Sequence, residues 1–158
     1  MSLTTEQLQT LKTAIAAETD PTFVAARTAN DETGMKNWYN EPSTYVAWKT
    51  RVELTDVAAN VDGVELVGLT TAKLAAYQAL LLAGTVNPSK DRLRAGFDQV
   101  FSAAGGNTTR PLLLELWKRI VTRGEKVFAS GTGSDATPGQ LTREGALSEQ
   151  DISDALRS

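Results

Sequence analysis

The stretch Leu69-Thr70-Thr71-Ala72-Lys73-Leu74-Ala75-Ala76-Tyr77-Gln78-Ala79-Leu80-Leu81-Leu82-Ala83-Gly84 carries the fold class. Alanine and leucine favour helix, and no proline interrupts them. Thr70 stands where a side-chain oxygen can accept from the first free N–H groups, and Leu69 can staple to Leu74. Gly84 suits the left-handed position that ends a helix. The spacing predicts one helix here. Past Thr71 only Lys73 and Gln78 are polar, and Leu74, Tyr77, Leu80, Leu81 and Leu82 spread over most of the circumference. A helix apolar on nearly every side is either central to its domain or covered by a partner. A domain this small seldom surrounds one helix, so the pattern points toward a homo-oligomer.

Helical signals continue on both sides. Toward the N-terminus, Thr4 and Gln7 form a capping box, Leu3 can staple to Leu8, and Leu8, Leu11 and Ile15 recur on one face. Asp20-Pro21 opens a second helix with Phe23 and Val24 buried, and Asn30 to Gly34 reads as a loop. Trp38, Tyr39, Tyr45 and Trp48 place four of the six Trp and Tyr residues within eleven positions, with Pro42 separating two short helices. They suit a platform for a base or sugar, or a core anchor for the N-terminal helices; core anchoring is the commoner use. Thr55 to Val61 reads as a short helix, Asp62-Gly63 as a turn, and Val64 to Val67 as a short strand.

Toward the C-terminus, Asn87-Pro88 is expected to start a helix with the stripe Leu93, Phe97, Val100, Phe101 and Ala104, ended by Gly105-Gly106. A long helix is expected from Thr109 to about Ala129, with Leu112, Leu113, Leu116, Trp117, Ile120, Val121, Val127 and Phe128 on one half. Gly124 sits in that half, where close approach of another backbone would explain a residue costing about 1 kcal/mol of helix propensity. Ser130 to Gln140 has almost nothing to bury and reads as a linker. Leu147 with Ser148 and Asp151 then marks a short helix using Ile152, Ala155 and Leu156. The expected organisation is an all-α, bundle-like single domain, with a helical body over 1–129 and an extended arm over 130–158.

The 158 residues carry a net charge of −3, with 41% apolar and 22% charged residues. That balance suits a folded domain and argues against a dedicated nucleic-acid binder. Without cysteine or histidine, thiolate zinc sites, imidazole ligands and Ser–His–Asp triads are impossible. Carboxylates can still hold magnesium or calcium, but Glu18 with Asp20 and Asp31 with Glu32 have no matching second pair. Met1 to Glu18 lacks the apolar run of a signal peptide, and Leu74 to Ala83 is too short to span a bilayer. A soluble protein is expected, with no membrane contact.

Two further patterns bear on function. Gly131-Thr132-Gly133-Ser134 follows a helix and lacks the lysine of a phosphate-cradling loop, so it reads as linker. Lys118, Arg119, Arg123 and Lys126, with Arg110 before them, form a basic stripe on the expected long helix. It suits phosphates or an acidic subunit, or is a solvated face partly neutralised by Glu115 and Glu125. No catalytic, cofactor-binding or metal-ligating residue is assigned, and the chain is read as no enzyme.

The chain resembles a family of small proteins encoded in tailed-phage and prophage genomes. The likeness rests on Leu3-Thr4-Thr5-Glu6-Gln7-Leu8-Gln9-Thr10-Leu11-Lys12, Tyr45-Val46-Ala47-Trp48-Lys49-Thr50 and Val86-Asn87-Pro88-Ser89. Its most distinctive parts are Leu116-Trp117-Lys118-Arg119 and Glu125-Lys126-Val127-Phe128-Ala129-Ser130-Gly131-Thr132-Gly133-Ser134; Glu144-Gly145-Ala146-Leu147-Ser148 and Asp151-Ile152 complete it. The resemblance offers no catalytic residue. It implies a virion structural or assembly protein, such as a head–tail connector (neck) component, assembled in the host cytoplasm and partnered by other virion proteins. The alternative is a small phage-encoded regulator binding a host protein or nucleic acid.

Overall fold

The computed structural model describes residues 2–82 and 84–158, with the side chain of Ala104 also outside the description. Met1 and Ala83, which fall in stretches read above, lie outside the described residues. The chain is mostly helical, with ten α-helices and only two-stranded sheets among the described residues. It divides into two compact units: Met1–Ala47 with Ile120–Ser158, and Trp48–Arg119. The expected single domain with a break at residue 130 is therefore corrected, because the segment after 130 belongs to the first unit's core.

Unit 1 starts with α1 (Thr5–Ala17), α2 (Pro21–Thr28) and α3 (Glu32–Asn40), each begun by a side-chain cap. Thr4 and Gln7 exchange hydrogen bonds, and Asp20 accepts from the Thr22 and Phe23 N–H groups. Asp31 caps α3 by accepting from the Gly34 N–H at 2.9 Å, so the expected loop is mostly the first turn of a helix. Pro42 ends the helical run, and β1 (Pro42–Trp48) follows where a second helix was expected. Thr44, Tyr45 and Val46 supply the β-branched and aromatic side chains that strands favour.

The expected helix over 109–129 breaks into α8 (Thr109–Leu116), β4 (Lys118–Thr122) and α9 (Arg123–Val127), with β4 paired to β1. Two local features cause the break. Ile120-Val121-Thr122 is a β-branched run, and Thr122 with Glu125 forms a capping box that starts a new helix. Gly124 is buried, and a Cβ there would lie 3.0 Å from Leu147 Cδ1 and 3.3 Å from the Tyr39 carbonyl. Close approach does explain this glycine, although in a short helix.

α10 (Glu149–Arg157) packs on α1 and α3. Leu147, Ile152 and Ala155 are buried with Leu11, Ile15, Phe23, Met35 and Tyr39. The Asn40 amide donates to the Leu147 carbonyl and accepts from its N–H, both at 2.8 Å, and Glu125 accepts from the Gly145 N–H at 2.8 Å. Phe23, Trp38 and Tyr39 meet edge to face or tilted at 4.8–5.2 Å between ring centres, so Trp38 and Tyr39 are core anchors. The C-terminal segment is the closing layer of unit 1.

Unit 2 contains β2 (Val52–Glu53), α4 (Leu54–Ala59), α5 (Gly63–Val67), α6 (Thr71–Leu81), β3 (Thr85–Val86), α7 (Asp91–Val100) and α8, with β2 antiparallel to β3. Val64 to Val67 is helix rather than strand because Asp62 accepts from the Val64 and Glu65 N–H groups, capping a turn. Asn87 binds the Ser89 N–H and hydroxyl in a local turn, so α7 starts at Asp91 instead of at Pro88. Gly105 and Gly106 fall in a separate 3-10 turn after the helix. Glu65 reaches over to accept from the Thr108 and Thr109 N–H groups, 2.8 Å each, supplying the cap that α8 lacks locally. Tyr77, Phe97, Val100, Phe101, Leu113 and Trp117 form the centre of the core.

Candidate functional site

The four basic residues do not lie on one helix. Lys118 is buried in β4 with its ammonium 2.6 Å from the Glu115 carboxylate, and Arg119 follows it in the same strand. These two belong to unit 2, whereas Arg123 and Lys126 lie on α9 in unit 1. Dividing the expected helix between a strand and two short helices is what scatters them.

Arg123 and Lys126 instead help to line a cleft in unit 1 of about 460 Å³, with Glu18, Trp38, Ser43 and Thr44. The Arg123 guanidinium lies 4.3 Å from the Trp38 ring centre, a cation–π distance, and donates to Glu41 Oε2 at 2.7 Å. Tyr39 also lines the cleft. Its hydroxyl is buried without a hydrogen-bond partner among the described residues. Burial, together with the Glu18 charge, pushes its ionisation well above the usual phenol range. Ser43 is no free nucleophile: its hydroxyl donates to the Val121 carbonyl at 2.7 Å. The cleft offers two cations, an aromatic face and one carboxylate, which suits recognition more than proton transfer. Among the described residues no group of three or more acidic side chains is placed to hold a metal ion.

The glycine-rich segment has a different use from the linker expected. β5 (Ala129–Ser130) pairs antiparallel with β6 (Gln140–Leu141), and the loop between them closes on Tyr45. A Cβ at Gly133 or Gly139 would come within 2.0 Å of the Tyr45 side chain. The Val46 N–H donates to the Gly133 carbonyl at 2.8 Å, and the Tyr45 hydroxyl donates to Ser130 O at 2.9 Å. The glycines make room for an aromatic ring, not for a phosphate. Tyr45 and its partners lie 85 or more residues apart, so no local pattern announces the pairing.

α6 bears out the capping and termination signals: Thr70 accepts from the Lys73 N–H, and Gly84 has φ +76°. Its apolar residues are largely uncovered. Only Tyr77 is buried, while Leu82 is 85% exposed and Leu74 is exposed beside the alanines. Gly96 lets α7 approach α6, since a Cβ there would lie 3.2 Å from Leu80 Cδ2. An apolar groove follows, lined by Ala72, Ala76, Ala79 and Leu80. Val64, Val67, Leu112 and Leu114 are also exposed on unit 2. Among the described residues no helix is long and apolar enough to cross a membrane.

Neither protein-family models, curated proteins nor solved structures gave a match to this chain.

Proposed function

We propose that the protein is a structural or assembly component of a tailed-phage virion, in the specific form of a head–tail connector subunit, and that it acts by packing rather than by chemistry. The observation that supports this reading most is α6, apolar around most of its circumference yet burying only Tyr77 fully, with Leu80 and Leu81 half-buried against the core and Leu74, Leu82 and the alanines exposed. Uncovered apolar surface on this scale marks an interaction face, and copies of the same chain or other virion proteins would cover it. The arm has no part in this mechanism, because Leu147, Ile152 and Ala155 are already buried against α1 and α3. Lys118 is buried and paired with Glu115, and Arg123 is paired with Glu41, so two of the four basic residues are already matched, which weakens the case for a nucleic-acid regulator. Mass spectrometry of purified particles tests the assignment: a fixed copy number is expected, and absence from the particles defeats it. Sedimentation of the Leu74→Glu/Leu82→Glu variant tests the mechanism. A smaller assembly with an unchanged thermal melt is expected; wild-type protein sedimenting as a monomer defeats self-packing.

A further inference from the structure

On the side of α6 opposite buried Tyr77, the helix presents a face without charge. Ala72, Ala75, Ala79 and Leu82 follow one another at alternating spacings of three and four, which keeps them in one line along the helix. All four are exposed, and Leu82 keeps right-handed helical backbone angles, so the line runs to the end of α6. Thr71, Ala76 and Gln78 flank it. Lys73 is the one charged residue of α6, and its ammonium donates to the Ser102 hydroxyl at 2.6 Å. Two shapes lie on this face. Leu82, almost wholly exposed, is a knob. Toward the other end, Ala72 and Ala76 form one wall of the shallow groove against α7. Knob and groove stand about 15 Å apart along the axis.

The line reads the same in both directions. Turned end for end about Tyr77, Ala72 falls opposite Leu82 and Ala75 opposite Ala79. Two antiparallel α6 helices related by a two-fold axis therefore set each Leu82 over the other copy's Ala72, and both grooves fill at once. A two-fold contact requires this self-matching, in which residue i meets j and j meets i. In a parallel pair the two Leu82 side chains collide, and the alanines face each other across a gap. A partner of another kind with one apolar knob fills the groove and leaves Leu82 bare. No like charges meet in the antiparallel pair, because Lys73 lies off the line and is turned toward Ser102.

We propose that α6 pairs with α6 of a second copy, antiparallel, about a two-fold axis level with Tyr77. This rests on the reading of α6 as a packing face and names its occupant. The contact closes at two copies, so a ring or larger assembly uses another face. A helix of about 16 Å offers less than the roughly 1,200 Å² of a stable interface, so the pair separates at micromolar or higher concentration. The absence of cysteine from the chain permits a direct test. Full-length Ala75→Cys and ¹⁵N-labelled Ala79→Cys proteins, both changed at exposed positions, are treated with oxidised glutathione, separately and mixed, and the products are weighed by mass spectrometry. The same mixture unfolded in urea gives the random rate. The mixed disulfide should form about tenfold faster than either protein links to itself, and Leu82→Ala in both should slow it about tenfold. Self-linking as fast as mixed linking overturns the antiparallel arrangement and leaves α6 a packing face. A mixed disulfide indifferent to Leu82→Ala overturns the knob-in-groove fit. Linking no faster than in urea overturns the second copy as occupant, whereas the virion assignment falls separately, by absence from purified particles.

Discussion

Unit 1 and unit 2 each hold a tryptophan beneath an arginine, Arg123 over Trp38 and Arg94 over Trp48. Each also buries one polar atom without a partner among the described residues, the Tyr39 hydroxyl and the Trp117 indole nitrogen. They differ in how far their apolar surface is covered. Unit 1 recruits Leu147, Ile152 and Ala155 as a final layer, and among its described residues the exposed large apolar ones are Ile120 and Leu156. Unit 2 leaves Val64, Val67, Leu74, Leu82, Leu112 and Leu114 exposed. Completeness of a core thus depends on whether the chain returns with one more amphipathic segment, and here it returns to one unit only.

Removing that returning segment should have the largest effect. Truncation after Ser130 deletes Leu147 and Ile152, each worth about 1.5–3 kcal/mol in burial, and severs the Asn40–Leu147 hydrogen bonds. Cooperative melting of unit 1 should disappear in far-UV circular dichroism; a truncated chain that melts like full length would erase the contrast between the units.

A smaller effect is expected where that segment meets α9. Gly124→Leu should destabilise by about 1–3 kcal/mol through overpacking against Leu147 and the Tyr39 carbonyl. Gly124→Ala should stay near neutral, its helix propensity offset by the tight fit. Denaturant midpoints decide, and a Leu variant more stable than wild type would mean the layer is loose.

In unit 2 an acid-side pH response is expected from Glu65. Hydrogen bonds from the Thr108 and Thr109 backbones hold the Glu65 carboxyl below its ordinary range. Its contribution is therefore present above the unfolded value, about 4.3, and is lost as pH falls through the folded one. Glu65→Gln should flatten that part of the acid limb of a stability–pH curve. An unchanged limb would show that the α5-to-α8 cap matters little.

The smallest change is expected from Tyr39→Phe in unit 1. The hydroxyl has no partner to lose, so stability near neutrality should move by less than about 1 kcal/mol, if anything upward. Its raised ionisation contributes stability that is full below about pH 10, the unfolded value, and is lost as pH rises further. Phe should flatten the alkaline limb. A loss of more than about 2 kcal/mol at neutral pH would reveal a hydrogen-bonded hydroxyl.

The sequence-to-structure record follows the range of each interaction. Caps made by a side chain and the next turn were legible at Thr4, Asp20, Thr70 and Ser148. The capping box at Thr122 and Glu125 is equally local, but it lies within a run whose leucines and Trp117 fit one helical face. The apolar periodicity masked it; the β-branched Ile120-Val121-Thr122 was the signal that separates them. The cleft was legible only as parts. Trp38 and Arg123 stand out for different reasons, and the distance between them closes only when β1 and α9 are placed. The Tyr45 clasp depends likewise on strand pairing, which residue types alone do not specify.

Because unit 2 is one continuous piece set inside unit 1, synthesis imposes an order on the two. Residues 48–119 leave the ribosome before any of 120–158, so unit 2 has all its parts while unit 1 still lacks β4, α9 and α10. Domains generally fold as units as the chain emerges. Until α10 arrives, α1 and α3 expose the apolar side chains that Leu147 and Ile152 later cover. A nascent chain therefore presents two sticky surfaces of different lifetime: one transient and self-healing, the other still open when translation of residue 158 is done.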